Sequence, residues 1–206
     1  MGLLTWFGIR SRKKLDTLSS VGVFLSSQAA YAAQRSTTTY CEVKAGVNRN
    51  KLFSEPAFLE ELGRCRWEAF AAVLADAILI TETKLRPLSG DPAGVTRLGN
   101  RLGRLYGERL AAEQRPAHRP DGWDDLTGTF LARLAEAQAN PPKPPHEIAN
   151  HSVRVVMDTL PIHAEHRRHD REAISGGVKF YILALHEALE KELDAQAVMA
   201  DLAAGG

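Results

Sequence analysis

Residues 69–80 constrain the fold more than any other stretch. Twelve consecutive positions there hold one polar residue, Asp76. A membrane span needs about 20 apolar residues, so this run is too short to be one. Asp76 lies inside the run, Glu68 and Glu82 flank it, and a carboxylate at mid-bilayer costs several kcal/mol. The run therefore belongs inside a protein. It is framed by Ser54-Glu55-Pro56, a helix-start pattern, and by Pro87 with Gly90 beyond it. The spacing predicts a buried central helix over residues 54–86.

The other segments also read as helices, and none alternates convincingly as a strand would. Asp16-Thr17 can cap a first helix with Leu18, Val21, Leu25, Ala29 and Ala32 on its inner face, widened by Phe24 and Tyr31. The β-branched stretch 36–41 lowers helix propensity, yet no breaker precedes Gly46. A third helix starts at Asp91, with Pro92 at its favoured first position. Gly99, Gly103 and Gly107 line one side of it, where another helix can approach closely. A fourth runs over 121–139 with Trp123, Leu126, Phe130 and Leu134 inward, and a fifth over 146–160 with Ile148, Ser152, Val155 and Val156 on one side. Ser175-Gly176-Gly177 is expected to interrupt the chain before a last helix carrying Val178, Tyr181, Ile182, Leu185, Leu189 and Leu193. The expectation is an all-α bundle of about six helices around the central one. Residues 1–15 form an apolar and basic N-terminal segment, and 16–206 form a single helical domain with a Pro-rich connector at 141–145.

Charge narrows the function. Twenty-six basic residues oppose 25 acidic ones, giving +1, so there is no broad cationic footprint for nucleic acid. Cys41 and Cys65 are too few for a disulfide framework or a cysteine metal cluster, which favours a reducing compartment. The N-terminus is more specific. Leu3, Leu4, Trp6 and Phe7 are followed by Arg10, Arg12, Lys13 and Lys14. A secretory signal has the reverse order. Aromatic and aliphatic groups beside cations suit shallow insertion at an anionic membrane surface; docking on a partner protein or packing on the body are the other readings.

Three groups of residues are candidates for chemistry. Asp76, a carboxylate on an apolar face, needs either a raised pKa or a partner; Arg66, Arg101 and Arg104 are the candidate partners. His163, His166 and His169 are spaced by three, with Glu165 four residues before His169. Such spacing can hold a divalent metal on a helix, or it marks a solvated polar turn. Arg97, Arg101 and Arg104 form a row that suits anionic headgroups or an acidic partner. No HExxH, Glu-x-x-His, Gly-x-Ser-x-Gly or phosphate-loop motif is present.

One region resembles a known family. Val95-Thr96-Arg97, Leu105-Tyr106-Gly107-Glu108-Arg109-Leu110-Ala111-Ala112 and the preceding Leu74-Ala75-Asp76 to Leu85-Arg86 are similar to the paired helices of the ubiquinol–cytochrome c chaperones, assembly factors of the cytochrome bc1 complex. The similarity spans residues 70–112. That family's aromatic-rich early motif and Leu-His pair have no counterpart in the N-terminal half. The resemblance implies a helical assembly protein acting on a respiratory membrane complex.

The reading is therefore a non-catalytic helical accessory or assembly protein without a cofactor. It is expected at the cytoplasmic side of the inner membrane, on a membrane protein complex or an anionic membrane surface, and not on nucleic acid. The alternative is a metal-dependent or small-ligand helical enzyme using Asp76 with His163, His166 and His169.

Overall fold

The computed structural model describes residues 14–204. Among them are eight helices of six residues or more: α1 Leu18–Ala45, α2 Pro56–Leu85, α3 Pro92–Ala111, α4 Asp124–Ala139, α5 Asn150–Thr159, α6 Ala164–His169, α7 Arg171–Glu192 and α8 Ala195–Ala204. No strand occurs among the described residues; the one β-like feature is an isolated parallel bridge between Leu15 and Leu193. The all-α bundle around a central helix is what forms.

The central helix α2 has 30 residues, a length of about 45 Å at helical rise. Pro56 sits in its first turn, where a missing N–H costs nothing. Its first half buries one stripe, Phe58, Leu62 and Cys65, at the spacing of a surface helix. From Ala69 to Glu82 every residue is buried. The five alanines in that stretch, at 69, 71, 72, 75 and 77, keep the cylinder thin. Helices α1, α3, α4, α5, α7 and α8 can therefore all pack against it. Leu74, Ile78 and Ile80 are completely covered, each worth about 1.5–3 kcal/mol on burial.

Helix α1 runs unbroken through its β-branched stretch. Ser36 and Thr37 donate their hydroxyls to the carbonyls of Ala32 and Ala33, and Thr37 and Cys41 face the core. Thr17 and Ser20 make a reciprocal capping box at its start. Tyr31 does not widen the buried face: it is exposed and meets Tyr181 edge-on at 5.8 Å. The glycine row of α3 does admit a neighbour. A Cβ at Gly99 would lie 2.6 Å from Gln138, and one at Gly103 would lie 2.5 Å from Leu131, both on α4.

Four expectations are corrected. Ser175-Gly176-Gly177 interrupts nothing: α7 continues across it, since Ile174, Val178, Ile182, Leu185 and Leu189 form one buried stripe spanning the glycines. The fourth helix begins at Asp124, after Gly122 turns the chain with a φ of 90°. The fifth is split into a single turn, Pro145–Ile148, and α5. A further helix, α8, follows Asp194 and inserts Val198 into the core. The connector before Pro145 stays extended, with Pro144 at φ −68° and ψ 153°; helices on both sides of it pack on α2.

Candidate functional site

Asp76 is fully buried, and none of the three expected arginines holds it. Arg133 of α4 does, with Nη2 donating to Oδ1 at 2.6 Å. The backbone N–H and hydroxyl of Ser152, in the first turn of α5, donate to Oδ2 at 3.0 and 2.5 Å. Burial pushes the Asp76 carboxyl up, while Arg133 and Ser152 oppose the shift. The carboxylate is thus a three-way junction joining α2, α4 and α5, with its acceptors occupied by protein donors. Arg133 could have been suspected from its place in α4: it shares the apolar stripe of Phe130 and Leu134, where a cation needs a buried partner.

A second network lies one face away. Glu68 accepts from Arg119 Nε and Nη2 at 2.7 and 2.8 Å and pairs with His118 at 2.8 Å. Burial acts to raise the Glu68 pKa, but Arg119 and His118 outweigh it and hold the carboxyl low. Arg119 also stacks over Trp123, 4.9 Å from the ring centre. These links fix the loop between α3 and α4 to the central helix.

The histidines do not converge on Asp76. His163 precedes α6 and accepts from the Glu165 backbone; its ring lies 6.3 Å from that of His166. His163, His166 and His169 are all exposed. No three His, Cys, Asp or Glu groups are placed to hold a metal among the described residues. The charges of this turn have other tasks. Arg167 donates to the carbonyls of Met157 and Asp158 at the end of α5, and Asp170 receives the Tyr40 hydroxyl at 2.7 Å and Lys44 at 2.6 Å.

Leu3, Leu4, Trp6, Phe7, Arg10, Arg12 and Lys13 lie outside the described residues. Lys14 is described and is exposed, 3.7 Å from Asp194. Immediately after it the backbone is tied to the C-terminal helices. Leu15 N donates to the Glu192 carbonyl at 2.9 Å, Asp194 N donates to the Leu15 carbonyl at 3.0 Å, and Leu18 N donates to Asp201 Oδ2 at 2.9 Å. Beside this entry point is a hollow of about 350 Å³, lined by Leu18, Ser19, Arg101, Arg104, Arg109 and Asp201 among others. Gly22 brings α1 and α3 together here, since a Cβ on it would lie 2.6 Å from Leu105. Two of the three arginines in the row, Arg101 and Arg104, line the hollow; Arg97 does not, and Arg109 takes part instead.

The fold and these sites define a helical bundle with a polar junction at Asp76 and an arginine-lined hollow at the start of α1. Comparisons with family models, curated proteins and solved structures give no match to the chain. No helix among the described residues is long and apolar enough to cross a membrane.

Proposed function

We propose that this chain is a non-catalytic helical accessory or assembly protein that attaches to a membrane protein complex through its N-terminal segment. The observation that carries this reading is that Leu18 and Ser19, at the start of α1, line a hollow together with Arg101 and Arg104. The sequence that leads into Leu15 is apolar and basic, and arginines of α3 line the hollow at the start of α1. Together they suit a surface bearing anionic groups next to an apolar layer. The engagement of Asp76 by Arg133 and Ser152 supports a structural rather than a reactive centre. The place of action is the cytoplasmic face of the inner membrane, and the resemblance of residues 70–112 to bc1 assembly factors makes a respiratory complex the first partner to try.

The test compares the full chain with a form lacking residues 1–14, and with Arg101→Glu/Arg104→Glu. Flotation with anionic vesicles and pull-down from detergent extracts of its own cells are the readouts. The proposal expects both changes to weaken recovery. Undiminished flotation and undiminished pull-down after deleting 1–14 would refute it.

A further inference from the structure

A separate cleft of about 460 Å³ opens between α4, the end of α2, the connector and α5. Its volume lies in the range of small-molecule pockets. The walls carry Arg86, Arg133, Lys143 and Arg154, with His151 between them and Glu136 and Glu147 at the side. Leu79 and Ile148, both buried, give it an apolar part.

The cations differ in how far they are already satisfied. Arg86 is held by Glu82 through Nε and Nη2 at 2.8 and 2.7 Å, and its Nη1 donates to the Asn140 carbonyl. Lys143 faces Glu136 at 3.7 Å. Arg133 is different: Nη2 is spent on Asp76, but Nη1 is buried without a hydrogen-bond partner. A buried charged donor left unmade costs more than a neutral one and calls for an explanation. Arg154 is exposed, and it lines the same cleft. His151, which lines the cleft with both arginines, is pushed down to about 4 by burial and by the charges of Arg133 and Arg154. The cleft therefore presents a neutral imidazole with two cations, one of which has a donor to spare.

We infer that this cleft binds a small organic oxyanion, a carboxylate or a phosphate monoester, between Arg133 and Arg154, with its carbon body against Leu79 and Ile148. Arginine's planar fork suits both oxyanions, which accept two parallel N–H donors. Arg154, exposed at the cleft, supplies one donor fork; a small turn of the partly exposed Arg133 guanidinium brings its covered, unpaired Nη1 to the second oxygen. The site is independent of the N-terminal attachment surface and shares no residue with it.

The test uses the full chain with sodium phosphate and sodium benzoate as probes, and sodium chloride at equal ionic strength as the control. Calorimetry and thermal melting read binding. Saturable binding of either probe supports the inference, and which probe binds tells phosphate from carboxylate chemistry. Arg154→Ala, an exposed change, is expected to weaken that binding by about tenfold or more. NMR titration of the His151 ring supplies an independent readout: an anion between the two arginines raises its pKa from about 4. The inference is overturned if neither probe binds beyond the chloride control, if Arg154→Ala binds as tightly as the parent, or if the His151 titration is unchanged at saturating probe.

Discussion

Arg133 reaches Asp76 across 57 residues of sequence and meets it at 2.6 Å, in a place where Asp76 has no contact with solvent. Because α4 and α5 both close on this one carboxylate, its loss should be felt by the whole bundle. Removing one partner of a buried pair leaves the other charge uncompensated and typically costs about 3–5 kcal/mol. Asp76→Ala and Arg133→Ala should each lower stability by that order in urea unfolding. Asp76→Leu combined with Arg133→Met should recover much of the loss, since apolar replacements of similar volume are often neutral. A single-variant loss below about 1 kcal/mol, the size expected of a surface pair, would show that the junction is not structural.

Acid should weaken the fold through two groups on different faces. His151 resists protonation when folded, with its pKa down at about 4 against an ordinary 6.5. The unfolded chain takes up that proton first, so stability is full above 6.5 and is lost as pH falls towards 4. Glu68 is held low by Arg119 and His118 against the effect of burial; its contribution is present above the ordinary carboxylate range and lost as pH falls through the folded value. Unfolding midpoints should hold steady from pH 7.5 to about 6.5 and decline from there to about pH 3. His151→Gln should flatten the upper part of that decline and Glu68→Gln the lower part. Trp123, under Arg119 at 4.9 Å, should report the second by fluorescence.

The two thiols should be inert while the protein is folded. Cys41 and Cys65 are free and have no exposed surface. Burial pushes their pKa values up to about 12 and about 11, and the thiolate is the reactive form. Iodoacetamide at pH 8 should leave both unmodified in buffer and modify both in urea. Modification in buffer at the rate of a free peptide thiol would mean that α1 and α2 separate far more often than their packing implies.

Much of the fold was readable because it follows from local spacing. The run at 69–80 had to be enclosed, the caps at Thr17 and Asp91 mark real helix starts, and the α3 glycines do admit α4. What failed was reading breakers in isolation. Gly176 and Gly177 look like an interruption, but nothing lies within 4 Å of a Cβ at either position, and the flanking apolar stripe keeps its helical register. Ala195–Ala204 was missed because its alanine-rich sequence has a weak face and only Val198 is fully buried. At the centre, the need of Asp76 for a partner was legible, but the identity of that partner was not. Arg66, Arg101 and Arg104 are near in sequence or carry the obvious row, whereas Arg133 is set there by the way α4 crosses α2. The cleft was invisible for the same reason: Arg133, His151 and Arg154 come together only through the turn at Pro145–Ile148.

The parallel pairing of Leu15 with Leu193 has a mechanical meaning. Force applied at Lys14 meets the bonds to Glu192 and Asp194 before it meets the first turn of α1. The junction of α7 and α8 works as a buckle on the N-terminal strap. A pull on Lys14 is thus shared between α1 and the last two helices instead of falling on the first turn of α1 alone.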